Sequence, residues 1–357
     1  MATVARSLKQ RQIKRALARW NQGTSGICES CQKPISSLRT YSSIIERKSN
    51  NMRGKMDCHG LTDRGRKREN NGDQFLISDL CKAMLIHQTS LSHEDHTRLF
   101  GGSQGKMLVV ADGMGGHIAG ERASTLAIDA LANYVLNTMP WLLRLLESQE
   151  DDLQEDLKQA MELCQKKIEI DSSANSERFG MGTTLTMAYI TWPRLYVVHV
   201  GDSRCHLFRD SRLEQITRDH TKAQEMVERG LLTAKEAAAS RWSHVLWNCL
   251  GGGSSELSPE VYKSTLILGD TLLLCSDGLT TCLHHNEIRE ILAQNRTAED
   301  TCHLLVDNAN KAGGPDNITV VVARFIALNE QEAKAEAAGS ALQQAGYSSD
   351  SLQELPA

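Results

Sequence analysis

Apolar, strand-like runs in this chain repeatedly meet an aspartate at one end. The runs VVA, VVHVG and LLLCS are followed by Asp112, Asp202 and Asp277, respectively. A fourth aspartate, Asp316, precedes the run NITVVV. A carboxylate at the mouth of a buried strand is costly unless it is paired, hydrogen-bonded or bound to a cation. One such aspartate is most simply explained as a turn residue. Four in one domain are better explained by an oxygen-lined site for Mg²⁺ or Mn²⁺, which is the site that the sequence predicts.

Metal-assisted hydrolysis is the chemistry that such a site supports. Two divalent ions about 3.5–4 Å apart can share a bridging water, lower its pKa and hold a phosphate for in-line attack. The chain contains neither a P-loop nor a His-Glu-x-x-His helix, so nucleotide cradling and zincin-type proteolysis are not indicated.

The charge of the chain is distributed unevenly. Residues 1–60 carry 12 Lys and Arg against three acidic residues, a net charge of +9, which leaves 28 basic and 41 acidic residues, a net charge of −13, for residues 61–357. An acidic body argues against nucleic acid as a partner, because phosphate backbones are bound by clustered Lys and Arg. It agrees with carboxylate-rich sites for hard cations.

The sequence also indicates where the protein resides. No run approaches 18 uninterrupted apolar residues, so no membrane-spanning helix is predicted. The first residues lead into basic sequence without the apolar stretch of a secretion signal. The ten cysteines are irregularly spaced and several lie in apolar runs, as expected of small buried side chains in a reducing compartment. We therefore expect a cytoplasmic protein.

Residues 1–58 are predicted to form a basic N-terminal arm. Within it, residues 6–20 place four apolar side chains roughly on one face of a basic helix, namely Leu8, Ile13, Leu17 and Trp20. Such a helix either docks on a partner or an anionic surface, or packs on the protein's own body.

A Cys-x-x-Cys pair in the same arm, Cys28 and Cys31, is half of a zinc site and resembles the first half of a small bacterial zinc finger. The second pair is missing. Cys58 and His59 offer two further donors, but their distance along the chain matches no common spacing. A degenerate, metal-free remnant is therefore favoured over a zinc site.

Residues 59–327 are predicted to form the main domain. Amphipathic stretches of helical length occupy 119–136, 152–171 and 285–310. Short β-rich runs lie between and around them, at 74–78, 106–112, 183–190, 194–202, 205–209, 270–277 and 317–325. Strands and helices come in blocks rather than in strict alternation, which favours an α+β layered fold over a doubly wound one. Residues 328–357, rich in Glu, Ala, Gln and Ser, are expected to form a flexible tail.

Six segments of this domain resemble motifs of the metal-dependent protein serine/threonine phosphatases, the protein phosphatase 2C type, in a bacterial style. In chain order they are TDRGRKRENNGDQF (62–75), VVADGMGGHIAGERAS (109–124), GMGTTLT (180–186), VGDSRCHLFRDSRLEQITRDHT (200–221), GDTLLLCSDGL (269–279) and GGPDNITVVV (313–322). They keep the family's order over about 260 residues. The resemblance implies two packed antiparallel β-sheets flanked by helices, an α-β-β-α sandwich.

The resemblance also implies a set of ligands for two Mg²⁺ or Mn²⁺ ions. Asp112 is expected to bridge both ions, with the Gly113 carbonyl as an additional ligand. Asp277 and Asp316 are expected to complete the first metal. Asp73 is expected to serve the second, directly or through water.

Three more residues receive expected roles from the resemblance. Asp202 would hold a third, weaker metal of the kind seen in bacterial members. Arg68 lies where the family has a phosphate-binding arginine, and a guanidinium suits a phosphate dianion because it bonds bidentately. Asn317 is expected to orient the neighbouring Asp316 as a partner behind the metal ligands.

Two roles are open for His117. Animal-type members of the family carry a histidine two residues after the bridging aspartate, where this chain has Met114. His117 is the usual bacterial histidine. It either acts as the general acid that protonates the leaving alkoxide or orders the loop by hydrogen bonding.

Two departures from the family's pattern affect the expected site. The family usually has Glu or Gln before the aspartate of its first motif, whereas this chain has Gly72. A Glu or Gln side chain at this position can bind the second metal or support its ligands. Because this chain lacks it, weakened metal binding is expected rather than loss of activity. Residues 219–254 match the family's flap, but the second half of that segment is altered, which leaves substrate choice open.

The expected function is removal of phosphate from Ser and Thr of phosphorylated proteins. One alternative is a catalytically weak, phosphoprotein-binding regulator of the same fold, and another is a relative acting on phosphorylated anti-sigma-factor antagonists. The intact carboxylates favour an enzyme, because a decayed one tends to lose them. The GPDN and GDSR motifs and the full-length flap favour a general protein phosphatase.

Overall fold

The computed structural model describes residues 54–85, 98–115, 117–137, 150–253 and 257–327. The strands in this part of the chain are β1 (Gly54–Asp63), β2 (Gln74–Leu85), β3 (Arg98–Ala111), β4 (Gly113–Met114), β5 (Gly182–Thr183), β6 (Leu185–Thr191), β7 (Arg194–Val200), β8 (Arg204–Arg209), β9 (Arg212–Gln215), β10 (Leu250–Gly251), β11 (Glu260–Thr265), β12 (Thr271–Cys275) and β13 (Ile318–Ala327). The helices are α1 (His117–Asn137), α2 (Glu150–Ala174), α3 (Lys222–Glu228), α4 (Ala234–Ala238), α5 (Asp277–Cys282), α6 (His285–Leu292) and α7 (Ala298–Lys311).

The strands form two five-stranded sheets and one small sheet. The first sheet has the order β1-β13-β12-β8-β9, the second β11-β7-β6-β3-β2 and the small one β10-β5-β4. Neighbouring strands are antiparallel throughout, and the longest regular pairing joins β1 to β13, from Gly54 opposite Ala327 to Asp63 opposite Ile318. The first and last described strands therefore lie side by side in one sheet.

The two large sheets pack face to face over an apolar layer. Its fully buried members include Leu108, Val110, Val197, Leu274 and Val321. Because side chains alternate along a strand, β3 directs Leu108 and Val110 into this layer. Met107 and Val109 point to the opposite face of the second sheet.

Helices cover the outer face of each sheet. α1 and α2 contribute Leu131 and Met161 to the layer against the second sheet, and α6 and α7 contribute Ile288 and Leu305 to the layer against the first. Burying one such side chain fully is worth about 1.5–3 kcal/mol. The layers follow in the order helices, sheet, sheet, helices, so the predicted α+β class and α-β-β-α sandwich are confirmed.

Every helix and strand predicted within residues 59–327 has a counterpart in the structure, but one predicted helix is divided. Helices predicted over 119–136 and 152–171 lie inside α1 and α2. The helix predicted over 285–310 is two helices, α6 and α7. The break contains Asn295, whose φ of 54° lies in the left-handed region and ends the helical path. Thr297 then starts α7 by accepting a hydrogen bond from the Asp300 backbone nitrogen at 3.1 Å.

β1 is a strand that the sequence pattern did not indicate. Its apolar alternation is interrupted by Gly60, which sits under the ring of Phe75 from β2. A Cβ at position 60 would lie 2.4 Å from that ring, so the packing of Phe75 requires a glycine there.

Part of the predicted organisation falls outside the described residues. This holds for the basic segment 6–20, for Cys28 and Cys31, and for the tail 328–357. The described domain begins with β1 at Gly54 and ends with β13 at Ala327, and the division into arm, domain and tail stays a prediction. Among the helices of the described ranges, none is both long and apolar enough to cross a bilayer.

Candidate metal centre

A pocket of about 610 Å³ lies where strand ends of the two large sheets meet. In the second sheet, β3 leads into Asp112 and β7 leads through a turn into Asp202. In the first sheet, β12 leads through Ser276 into Asp277, and Asp316 lies two residues before β13, which begins at Ile318. Each sheet thus contributes two carboxylates to the wall of one pocket.

Asp73 is the most deeply placed of the predicted ligands and lies just before β2. It is 2% exposed, and its Oδ2 accepts a hydrogen bond from Thr319 Oγ1 at 2.7 Å. Thr319 is hydrogen-bonded in turn to Thr62, its partner across the sheet, at 2.7 Å. The second oxygen, Asp73 Oδ1, is buried without a hydrogen-bond partner among the described residues. A buried carboxylate oxygen left unbonded is costly, so this atom points to a cation.

The electrostatics of the cluster lead to the same conclusion. Burial raises the pKa of Asp73 to about 7, and it raises the pKa of Asp112 and of Asp202 well above the usual range. The neighbouring carboxylate of Asp277 raises the pKa of all three further. In the described part of the chain no ion pair includes Asp73 or Asp112. Repelling, buried carboxylates need a compensating positive charge, so these residues fit a site for divalent cations.

The backbone around Asp112 is fixed from two sides. The Asp112 nitrogen donates to Thr184 Oγ1 at 3.0 Å, and its carbonyl accepts from the Thr184 nitrogen at 2.9 Å and from Thr183 Oγ1 at 2.8 Å. On the other side, Gly113 passes close to α1, where a Cβ would lie 2.2 Å from the carbonyl oxygen of Gly120. Only glycine allows this approach, which explains the Asp-Gly pair at the pocket wall.

Asn317 holds the loop of the first motif against the loop that carries Asp316. Its backbone nitrogen donates to Asp316 Oδ1 at 2.9 Å. Its side-chain Nδ2 donates to the carbonyl oxygens of Arg64 and Asn70, both at 2.9 Å, and its Oδ1 accepts from the Gly72 nitrogen at 2.8 Å. The arrangement fits the predicted orienting role and adds a second task, the anchoring of residues 64–72.

Arg68 lies at the open side of the pocket. Its Nη2 donates to Asp316 Oδ2 at 2.7 Å, and the two side chains are 52% and 35% exposed. The hydrogen bond to Asp316 is the largest of the effects that raise the pKa of Arg68. A permanent cation beside the carboxylates, with half of its surface free, is placed to meet an anionic group that enters the pocket.

His244 also lines the pocket, although the sequence did not single it out. Its Nδ1 lies 3.4 Å from Asp277 Oδ2, its side chain is 65% exposed, and the hydrogen bond to Asp277 is the main cause of its raised pKa. The one available signal was its position in the altered half of the flap, residues 219–254.

The turn that carries Asp202 is tied to the start of the flap. The Gly201 nitrogen donates to His220 Nδ1 at 3.1 Å, and the His220 nitrogen donates back to the Gly201 carbonyl at 2.8 Å. Asn248, near the end of the flap, places its Nδ2 2.9 Å from the same His220 Nδ1. The flap and the Asp202 turn are therefore one hydrogen-bonded unit.

The structure brings together most of the residues for which the sequence predicted a role. Those that line the pocket are Arg68, Asp112, Gly113, Asp202, Asp277, Asp316 and Asn317. Asp73 is buried and interacts electrostatically with Asp277 and Asp316. His117 is the first residue of α1, and its side chain lies outside the described part of the structure. The metal-binding and catalytic roles of all nine residues stay predictions.

Several pocket residues were missed. Besides His244, these include Asn70, Thr184, Leu246 and Thr281. Asn70 and Thr184 fall inside recognised motifs but received no role, and Leu246 belongs to the flap. Thr281 carries no sequence signal, because it reaches the pocket only through the turn of α5 that follows Asp277.

Comparisons with known proteins identify the family of this chain. The sequence pattern of the family described as Protein phosphatase 2C matches residues 86–312. The protein phosphatase PhpP of Streptococcus pneumoniae is 32% identical over 280 residues, which cover 78% of this chain and 100% of PhpP. The serine/threonine protein phosphatase PstP of Mycobacterium tuberculosis is 39% identical over 223 residues, which cover 62% of this chain and 40% of PstP. The chain therefore spans less than half the length of that relative.

Solved structures extend the likeness to the fold. The serine/threonine phosphatase PstP/Ppp of Mycobacterium tuberculosis superposes with a TM-score of 0.61 at 34% identity, over 76% of this chain and 99% of the other. A PstP catalytic domain in complex with two manganese ions gives a TM-score of 0.59 at 33% identity, over 76% and 98% of the two chains. The resemblance drawn from the six motifs is thereby confirmed, and the chain belongs to the protein phosphatase 2C family.

Proposed function

We propose that this chain is a metal-dependent protein serine/threonine phosphatase that hydrolyses phosphoserine and phosphothreonine in proteins. The observation that carries the proposal is the convergence of carboxylates from both sheets on one pocket. Asp73 is buried and Asp112 is partly buried, and neither has an ion-pair partner among the described residues. The names of PhpP and PstP, both protein phosphatases, support the same activity.

The cofactor that we propose is a pair of Mg²⁺ or Mn²⁺ ions. Asp112 would contact both, Gly113, Asp277 and Asp316 would complete one site, and Asp73 would serve the other. Oxygen-only donors of this kind suit hard cations. Two such ions, when bound, lower the pKa of a coordinated water and offset the negative charge of a phosphate under attack. The two manganese ions in the PstP catalytic domain support this stoichiometry.

The remaining pocket residues would position the substrate and the ligands. Arg68 would bind the phosphoryl group, because its guanidinium is half-exposed at the pocket and can bond two phosphate oxygens. Asn317 would keep Asp316 in place through its backbone nitrogen. Asp202 would hold a third, weaker metal, and its buried carboxylate with a raised pKa supports that role. His117 would either protonate the leaving alkoxide or order the loop at the start of α1.

We also propose a cytoplasmic location and a docking role for the arm. The eight cysteines in the described ranges are all free thiols, which supports a reducing compartment. The docking role rests only on the amphipathic, basic sequence of residues 6–20.

Phosphate release from matched peptides tests the proposed activity. Phosphothreonine, phosphoserine and phosphotyrosine versions of one peptide are incubated with the full chain in Mn²⁺, in Mg²⁺ and in EDTA. We expect release from the first two peptides with either metal and none in EDTA. Binding of the phosphothreonine peptide by the folded protein without release under any metal would instead support the phosphoprotein-binding regulator.

A further inference from the structure

A second group of metal-type donors lies away from the pocket. His59 of β1 and Glu299 and His303 of α7 place one donor atom each within 4.8 Å of the other two. None of the three lines the pocket described above. His59 is half-buried, whereas Glu299 and His303 are exposed, so an ion can reach the group from solvent.

The three side chains stand on rigid, mutually anchored elements. Glu299 and His303 are four residues apart on one helix and therefore lie on the same face, one turn above the other. Asp57, two residues before His59 and on the same side of β1, accepts a hydrogen bond through Oδ2 from the Ala298 nitrogen at the start of α7, at 2.8 Å. This bond fixes the strand and the first turn of the helix in the register that brings the donors together.

The two imidazoles approach each other without stacking flat. The ring centroids of His59 and His303 are 6.2 Å apart, and the ring planes are inclined by 34°. Parallel rings in face-to-face contact would lie closer and shield their nitrogens, whereas this spacing leaves room for an ion between nitrogen atoms of the two rings.

The nearby thiol does not belong to the donor set. Cys302 directs its Sγ to the carbonyl oxygen of His59, at 3.3 Å, and is fully buried in the layer under α7. Burial raises its pKa to about 12, so it is a protonated thiol rather than a thiolate ligand. The group therefore offers two imidazole nitrogens and one carboxylate.

We propose that His59, Glu299 and His303 form a binding site for a first-row divalent transition metal such as Zn²⁺, independent of the catalytic centre. Two histidines and one glutamate with a water in the fourth position are a common zinc donor set. Imidazole donors favour Zn²⁺ over Mg²⁺, which prefers oxygen, so this site and the carboxylate pocket select different ions. A bound ion would tie the edge strand β1 to α7 and stabilise the first sheet at that edge.

Metal stoichiometry in four versions of the full chain tests the proposal. The parent, His303→Ala, Glu299→Gln and the control His285→Ala are dialysed against micromolar Zn²⁺ with millimolar Mg²⁺ present, and bound zinc is counted. His285 is an exposed histidine at the start of α6 and lies outside the donor group, so it matches His303 in type and exposure. Any zinc taken up elsewhere is common to all four proteins and cancels in the comparison.

We expect the parent and His285→Ala to bind one more equivalent of zinc than His303→Ala and Glu299→Gln. The loss of one ligand should weaken the site by about 100-fold or more. The same comparison with Co²⁺ should show visible absorption bands in the parent that His303→Ala lacks. Equal zinc stoichiometry and equal Co²⁺ spectra in all four proteins would overturn the proposal, as would an equal loss in His285→Ala.

Discussion

The side-chain oxygen of Asn317 accepts a hydrogen bond from the backbone nitrogen of Gly72 at 2.8 Å, which joins two motifs 245 residues apart in the chain. The same side chain donates to the carbonyl oxygens of Arg64 and Asn70. The loop that leads to Asp73 is therefore held by its backbone, and position 72 contributes no side chain to the centre.

Gly72→Glu should strengthen metal binding. A Cβ at this position would lie 3.1 Å from the carbonyl oxygen of Gly113, a predicted ligand, so a carboxylate added here stands beside the centre after a small adjustment. We expect the Mn²⁺ concentration for half-maximal phosphatase activity to fall by about tenfold, equivalent to about 1.4 kcal/mol. Gly72→Ala is the control, because it adds the Cβ without the charge. An Mn²⁺ dependence of Gly72→Glu that equals the parent's would show that position 72 is remote from the metals.

Asp112→Asn should stabilise the metal-free protein. The Asp112 carboxylate is partly buried among like charges, which raise its pKa, so replacing it with a neutral amide of the same shape removes repulsion in the folded state. In EDTA we expect a higher Tm than the parent's, by about 2–4 °C for each kcal/mol gained.

Saturating Mn²⁺ should reverse that order. An ion at 100 times its Kd stabilises the parent by about 2.7 kcal/mol, and Asp112→Asn should gain much less. Asp307→Asn, an exposed position on α7, is the matched control and should follow the parent in both buffers. If Mn²⁺ stabilised parent and Asp112→Asn equally, Asp112 would not be a ligand.

Arg68→Ala should impair use of phosphorylated substrates. The guanidinium is expected to make charge-assisted hydrogen bonds to the phosphoryl group, which are worth about 1.5–3 kcal/mol each. We expect kcat/KM for a phosphothreonine peptide to fall by about 10- to 100-fold, with partial recovery in Arg68→Lys. Folding stability should change little, because the Arg68–Asp316 pair is largely exposed. Lys67→Ala, in the same basic run, should behave as the parent; a loss of equal size there would point to general charge attraction.

His206 should make stability sensitive to acid. Burial lowers the pKa of this β8 histidine to about 3, and its Nδ1 has no hydrogen-bond partner in the described structure. Between about pH 6.5, the unfolded value, and pH 3 the unfolded chain binds a proton here that the folded chain does not, so the free energy of unfolding falls as the pH falls.

The comparison with His206→Leu isolates this contribution. Relative to the variant, the parent should lose about 1.4 kcal/mol of unfolding free energy for each pH unit below about 6. The buried carboxylates of the pocket act in the opposite direction, but they do so equally in both proteins. Denaturant unfolding in EDTA from pH 7 to pH 4.5 measures the difference. Parallel pH profiles would mean that His206 takes up a proton in the folded protein as readily as in the unfolded chain.

The layered fold was predictable because local patterns dominate it. The run 194–202 is mostly apolar and ends in the turn residues Gly201 and Asp202, so it predicts a buried strand, and it forms β7 and the turn that follows. β1 was not predicted because Gly60 interrupts its apolar alternation, and the glycine is required by a residue of another strand, Phe75, whose ring leaves no space for a Cβ. The single helix expected over 285–310 failed at Asn295, since a continuous apolar stripe does not reveal a left-handed residue between two helices.

The residues of the site likewise include some that a local sequence pattern predicts and some that it does not. Asp112 and Asp277 were predicted because each closely follows a strand, and that position brings them to the pocket. His244 was not predicted, because the flap that carries it reaches Asp277 through contacts that no local pattern encodes. The donor group of His59, Glu299 and His303 depends on how β1 packs on α7 and could not be read from spacing either.

Turnover by Asp277→Asn is the most direct test of the carboxylate pocket as a metal-dependent phosphatase centre. Phosphate release from a phosphothreonine peptide is measured in Mn²⁺ for the parent, for Asp277→Asn and for the exposed control Asp307→Asn, each shown to be folded. We predict Mn²⁺-dependent release by the parent and the control, and a rate lower by about 100-fold or more in Asp277→Asn. Release by Asp277→Asn at the parent's rate and with the parent's Mn²⁺ dependence would contradict the assignment of this pocket as the catalytic metal centre.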